Sequence, residues 1–287
     1  MVTSLTDWRE FPDELRILGG GNDHGVLIGL IPHENEPLGA LVFNDSFCNM
    51  VQGFEDQISF ALNLDIPQKK YRFPIPIDFK NFFFQYHLSP IENQLEFSYT
   101  EDPETDVEKR AFQFYKISRN KELIILLHND PVRNFFYVYA NEDNEELNNT
   151  IKRVNNSILN TNLTLGEAEY TAKLNDYIYQ YFRLCKIESL KNSRESCGIF
   201  FREKGLKIIT IEIPMFAWEL VSTKTRANLH NLYLYSVANN LAPAERSSLV
   251  SEKKMNIPYI PMIDLNKLTS GLNDIVYSIM KMWRKDL

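Results

Sequence analysis

The sequence predicts an α+β protein, with an antiparallel sheet and a packed helix in the first half and a helical region with a β-hairpin in the second. Three observations carry that expectation. Between residues 94 and 140 apolar side chains recur with a period of two, the period at which a strand alternates its faces. From Asn141 onward the spacing changes to three and four, the period of a helix face. The links between the early apolar runs are short and polar, as an antiparallel meander needs.

The elements follow in order. Residues 24–31 and 38–44 are apolar runs around Pro32-His33-Glu34-Asn35-Glu36-Pro37, which predicts a hairpin. Phe47, Met50, Val51, Phe54, Ile58, Ala61 and Leu62 share one helical face, with Asp45 or Ser46 as its cap. Residues 71–77 alternate but carry Pro74 and Pro76, so they predict an edge or irregular strand. Four meander strands are expected at 95–99, 111–117, 123–128 and 134–140; the third is apolar throughout and reads as central.

In the second half, Leu147, Ile151, Val154 and Ile158 form one helical stripe, and Tyr170, Leu174, Tyr177, Ile178, Tyr181, Phe182 and Cys185 form another. Residues 198–202 and 206–213 predict a strand hairpin turning at Glu203-Lys204-Gly205. Helices are expected at 224–241, 243–254 and 268–285, the last ending in Lys281, Arg284 and Lys285, which suit the negative end of a helix dipole. The organisation reads as a sheet-rich region 1–140 and a helix-rich region 143–287, able to form one composite domain.

Composition excludes several classes. With 31 basic and 38 acidic side chains in 287 residues, the net charge of -7 disfavours a nucleic-acid partner. No apolar run approaches the roughly 18 residues of a membrane span, and residues 1–10 lack the basic and apolar regions of a signal peptide. Cys48, Cys185 and Cys197 are odd in number and include no C-x-x-C pair. A cytoplasmic location is therefore expected, with the nucleus as the other reducing option. Cys48, near a predicted helix start, is the cysteine to test for reactivity.

Motifs for chemistry are sparse. Gly19-Gly20-Gly21-Asn22-Asp23-His24-Gly25 precedes a strand, whereas a phosphate cradle leads from strand into helix. It predicts a turn, and Asp23 and His24 are the candidates there for a dispersed hydrolase or transferase site. The five histidines, His24, His33, His87, His128 and His230, show no H-x-x-x-H, H-x-H or H-E-x-x-H spacing, so neither a metal site nor a cofactor is expected. Residues 186–207 mix Lys186, Lys191, Arg194, Arg202, Lys204 and Lys207 with Phe200 and Phe201, the composition of a single-strand stacking platform. Glu188, Glu195 and Glu203 interrupt it, so it reads as a mixed-charge surface.

The sequence holds 3 Trp, 14 Tyr and 19 Phe. Three successive phenylalanines, Phe82, Phe83 and Phe84, cannot all bury on one face of a strand or helix. They predict either an element covered on both sides or an aromatic anchor at an interface, for which Trp283 is a further candidate. With catalytic signatures lacking, the leading expectation is a non-catalytic interaction protein: a soluble intracellular subunit, adaptor or regulatory element with a protein partner or a second copy of itself. An enzyme site near residues 19–25 is the alternative, and single-stranded nucleic-acid binding through 186–207 is the third reading.

Overall fold

The computed structural model describes residues 15–18, 24–41, 57–62, 64–66, 72–88, 90, 93–159, 173–181 and 194–285. Eight strands form one sheet: β1 Arg16–Leu18, β2 Val26–Gly29, β3 Ile58–Leu62, β4 Leu123–Asp130, β5 Tyr137–Ala140, β6 Lys173–Asn175, β7 Ile178–Gln180 and β8 Ile208–Pro214. Their order across the sheet is β1-β3-β2-β4-β8-β5-β7-β6. The four central strands, β3, β2, β4 and β8, are mutually parallel. β5 and β7 also pair in parallel, and antiparallel pairs are confined to β1 with β3, β5 with β8 and β6 with β7.

This is an α/β fold with a mixed sheet, which corrects the expectation of an antiparallel α+β meander. The physical reason lies in β4. All eight of its residues are buried, so both faces demand apolar side chains and the alternation that distinguishes a half-solvated strand is erased. Parallel neighbours also require a crossover rather than a tight turn. The segment expected as the second meander strand supplies part of one: residues 111–117 belong to a helix, α3 Asp106–Ser118, whose Val107, Ala111, Phe114 and Ser118 are buried. Thr105-x-x-Glu108 caps it reciprocally, a start signal present in the sequence that outweighs the alternation of Phe112 and Phe114.

Other corrections follow the same logic. Residues 38–41 form a short helix, α1 Leu38–Leu41, not a hairpin strand, and Ile58–Leu62 is a strand rather than the end of a helix; residues 42–56 lie outside the described ones. Leu95–Phe97 is a 3-10 turn. Residues 173–180 hold β6 and β7 in place of the second helical stripe. The expected strand at 198–202 is a helix, α5 Cys197–Glu203, so β8 pairs with β4 instead of forming a hairpin. Helices do occur where periodicity alone placed them: α4 Glu145–Ile158, α6 Thr223–Ala238, α7 Pro243–Glu252 and α8 Leu265–Lys285. The remaining helix, α2 Phe79–Gln85, is capped by Asp78, whose carboxylate accepts the Asn81 N–H.

Helices cover both faces of the sheet. On one face Ile125, Leu127, Ile211 and Ile213 pack with Leu147, Ile151 and Val154 of α4 and Leu268, Leu272 and Ile275 of α8. Gly271 permits that closeness, because a Cβ there would sit 2.7 Å from the Phe136 ring. On the other face Leu27, Ile124, Leu126 and Ile208 meet Ala111 and Phe114 of α3 and Ile199, Phe200 and Phe201 of α5. The sheet draws strands from both sides of residue 141. Among the described residues, no helix is long and apolar enough to cross a membrane.

Candidate metal centre

From β2 the chain goes to β3 on one side and then to β4 on the other, which makes the carboxyl ends of β2 and β4 a topological switch point, the usual ligand crevice of an open α/β sheet. Pairing continues past β2 and β3, with the Leu64 N–H on Ile31 O at 3.1 Å and the Asp65 N–H on Pro32 O at 3.2 Å. Asp65 is thereby set beside His33. A turn follows, closed by the Glu36 N–H on His33 O at 2.9 Å. Asn129 of β4 ties this turn to the sheet: its Oδ1 accepts the Leu38 N–H at 3.0 Å and its own N–H donates to Glu36 Oε2 at 3.2 Å. A buried ion pair, Arg72 Nε to Glu34 Oε1 at 2.6 Å, secures the turn from the other side.

These constraints gather His33, Glu36, Glu96 and His128. His33 Nδ1 lies 2.8 Å from Asp65 Oδ2 and its Nε2 lies 3.4 Å from Glu96 Oε2. His128 Nδ1 lies 3.0 Å from Glu36 Oε2 and 3.9 Å from Glu96 Oε2. The two imidazoles meet edge to face with centroids 4.8 Å apart. Ligand atoms of His33, Glu96 and His128 all fall within 4.8 Å of one another. The side chains of both histidines are 3% exposed, whereas those of Glu36 and Glu96 retain 14% and 15%, so the cluster opens on its carboxylate side.

The electrostatics are those of a site short of positive charge. Burial opposes charge on His33, but Asp65 and Glu36 outweigh it and lift its pKa well above 6.5. Burial likewise opposes ionisation of Glu96, yet His128 and His33 hold its pKa below the ordinary value. Glu212 stands in register with His128 on the neighbouring strand, and its side chain shares that face of the sheet. Burial, then the charges of Glu36, Asp130 and Glu96, push its pKa well up. Farther along the same face the Arg133 guanidinium stacks over the Tyr137 ring at 4.4 Å, and Tyr137 Oη donates to Asp130 at 2.8 Å.

A divalent cation fits this set. Imidazole nitrogens and carboxylate oxygens are zinc's usual donors, and Asp65 provides the carboxylate that orients a ligating imidazole through its other nitrogen. Buried polar atoms without a protein partner crowd the same end of the sheet: Asn35 Oδ1, His128 Nε2, Asn129 Nδ2, Arg133 Nε and both polar atoms of the Asn134 amide. Interiors rarely tolerate such atoms, so this end of the sheet is made for something polar.

The residues singled out from the sequence lie elsewhere. His24 is exposed in the turn before β2, at the opposite end of that strand from His33, and Asp23 is outside the described residues. Phe82 and Phe83 are fully buried against Phe73, Phe79 and Phe216, and Phe84 is half-buried. Trp283 is buried too and donates its Nε1–H to Glu122 Oε2 at 3.0 Å. Phe200 and Phe201 belong to the core, so they offer no stacking platform. Of the cysteines, Cys197 is a buried free thiol, while Cys48 and Cys185 lie outside the described residues. His33 and His128 carry no short metal-motif spacing, because they stand far apart in the sequence and only the sheet brings them together. The available signal was His33-x-x-Glu36 in a proline-bounded turn together with a histidine closing the most apolar run.

No family model matches the chain, and no curated protein is similar enough in sequence to count as a relative. Solved structures are similar in outline. A metallo-carboxypeptidase from Burkholderia cenocepacia aligns over 96% of this chain and 62% of its own, at 8% identity and a TM-score of 0.46. A metallo-carboxypeptidase from Pseudomonas aeruginosa, in complex with (2-guanidinoethylmercapto)succinic acid, aligns over 92% and 59%, at 10% identity and a TM-score of 0.42. The chain thus spans about six-tenths of either structure. Scores this low say nothing about chemistry, and the weight rests on the cluster itself.

That cluster overturns the expectation of a non-catalytic interaction protein. The aromatic residues meant to carry it are core, while imidazoles and carboxylates converge at the switch point, the place and the chemistry of an enzyme centre. The enzyme alternative is favoured, but at the opposite end of β2 from the loop where it was expected.

Proposed function

We propose that this chain is a zinc-dependent hydrolase acting on an amide or ester whose substrate carries an anionic group. The observation that carries the reading is the convergence of buried His33 and His128 with Glu36 and Glu96, beside Glu212, at the carboxyl ends of parallel strands. His33, His128 and the carboxylates would hold the metal, which when bound supplies Lewis acidity toward a carbonyl and toward water. Glu212 takes the proton of the attacking water and returns it to the leaving group, a role suited to a carboxylate whose basicity is increased by burial and by the neighbouring acids. Asp65 fixes the His33 tautomer by accepting its Nδ1–H. Arg133, on the Glu212 side, is the cation for the anionic end of the substrate, with Asn134 beside it contributing an unsatisfied amide.

Because His33 binds its proton tightly, metal uptake must displace that proton, and affinity rises with pH. The three-cysteine count and the buried free thiol of Cys197 support a reducing compartment such as the cytoplasm. The test is to titrate the full chain with zinc, count bound metal by atomic absorption, and assay N-acyl amino acids against the corresponding neutral amides. One equivalent of zinc and turnover of the acids is the expected result. A chain that takes up no zinc, or takes it up equally well as His33→Ala, overturns the reading.

A further inference from the structure

The two imidazoles are held from behind in the same way. His33 Nδ1 lies 2.8 Å from Asp65 Oδ2, and His128 Nδ1 lies 3.0 Å from Glu36 Oε2. An ionised carboxylate accepts and does not donate, so each ring carries its proton on Nδ1 and keeps the Nε2 lone pair for a metal. His33 Nε2 is the atom 3.4 Å from Glu96 Oε2, and His128 Nε2 is buried without a protein partner.

The two glutamates of the cluster are not equivalent. Ligand atoms within 4.8 Å of one another come from His33, Glu96 and His128, and Glu36 does not belong to that set. Its Oε2 is already engaged twice, by His128 Nδ1 and by the N–H of Asn129 at 3.2 Å. Asn129 directly follows His128 in β4, and its Oδ1 accepts the Leu38 N–H at 3.0 Å. The turn that carries Glu36 is thereby tied to the strand beside the ring that Glu36 holds. Glu96 arrives separately, on a turn fixed by the Leu95 N–H on Asp65 Oδ1 at 2.6 Å. Its Oε2 stands 3.4 Å from His33 and 3.9 Å from His128, close to the roughly 3.4 Å between neighbouring donors about 2.0–2.1 Å from a tetrahedral zinc.

We propose that Glu36 is not a metal ligand but the positioning residue of His128, as Asp65 is of His33, and that His33, His128 and Glu96 are the ligands. This rests on the reading of the cluster as a metal site. A carboxylate behind an imidazole fixes its tautomer and rotation and makes it a better donor. His33-x-x-Glu36 thus supplies one ligand and the support of another from a distant strand, and three ligands leave a fourth tetrahedral position for water or substrate.

The test loads the full chain with cobalt(II) and reads affinity by competition with a chelator, coordination by the visible bands, and the imidazole N–H protons by their hyperfine-shifted NMR signals. Wild type should show two exchangeable N–H signals, one from each ring. Glu36→Gln should weaken binding about 10–100-fold with the shape of the bands unchanged, whereas Glu96→Gln should alter that shape. Glu36→Ala should lose the His128 N–H signal to solvent exchange and keep that of His33, a selectivity that general loosening of the fold would not produce. Bands that change in Glu36→Gln and persist in Glu96→Gln overturn the proposal, as does survival of both N–H signals in Glu36→Ala. Either result leaves the metal-site reading standing as long as His33→Ala abolishes binding. Absence of cobalt and zinc binding in the wild type removes both.

Discussion

Along β4 and β8, neighbouring residues look onto different chemistry. Ile125, Leu127, Ile211 and Ile213 face α4 and α8 in a wholly apolar layer, whereas His128 and Glu212 stand on the alternate positions, with Tyr137 and Tyr139 of β5 continuing that face. The strands therefore divide their labour by parity: one face holds the sheet to its helices, and the other, at the carboxyl end, positions donors and acids. Buried charge is costly unless paired, and the second face meets that cost by pairing each imidazole with a carboxylate. Substitutions on the two faces should separate stability from chemistry.

The largest separation is expected at Glu212. Replacing it with Gln removes the proposed base, and kcat should fall by about 10²–10⁴ with zinc content unchanged. Stability should move the other way. A carboxyl whose folded pKa is raised disfavours the folded state once pH exceeds its unfolded pKa, so the neutral variant should melt no lower than wild type at pH 7. Unaltered kcat would break the assignment. The opposite face gives the complementary result: Leu272→Ala, at a fully buried site, should lower unfolding free energy by roughly 2–5 kcal/mol, read as a shift in urea midpoint, while zinc stoichiometry stays the same. If both variants changed both properties equally, the division by face would be wrong.

A smaller effect sharpens the polar face. Asp65→Asn retains the shape but loses the anionic acceptor for His33 Nδ1. Metal affinity should weaken about 10–100-fold, measured by competition with a chelator, with the loss smallest at the low-pH end, because Asp65 also strengthens the His33 proton that competes with the metal in the wild type.

How far this was legible depended on which face a residue served. The stripes of α4 and α8 could be read because one side of each helix is wet, so Leu147, Ile151 and Val154, or Leu268, Leu272 and Ile275, stand out from polar neighbours. β4 could be recognised as a central strand, but its pairing could not: burial on both sides leaves Leu123–Leu127 uniformly apolar, and parallel neighbours lie far away in sequence. The same holds for the centre. His33 and His128 are 95 positions apart, and Glu96 arrives on a 3-10 turn that resembled a half-solvated strand. Only the crossover topology makes them neighbours. At α3, by contrast, both signals stand in the sequence, and the cap Thr105-x-x-Glu108 prevails over the strand-like alternation of Phe112 and Phe114.

That cap supplies the smallest test, and it belongs to the cover of the polar face. Glu108 Oε2 accepts the N–H groups of Glu104 and Thr105 at 2.8 Å each, and Oε1 accepts Arg194 Nε at 2.7 Å, linking the start of α3 to the segment that enters α5. Burial alone would raise its pKa, but the Thr105 N–H, Arg194 and the Glu104 N–H lower it to about 2 from an ordinary 4.5. A depressed carboxyl stabilises the fold above its unfolded pKa and loses that contribution as pH falls through the folded one. Thr105→Ala should cost about 1 kcal/mol at any pH in that range, because the hydroxyl does not titrate. Glu108→Gln should cost more at pH 7, and its deficit relative to wild type should shrink between about pH 4.5 and 2. A deficit that stayed constant down to pH 2 would mean that the hydrogen bonds, not the charge, hold α3 over the centre.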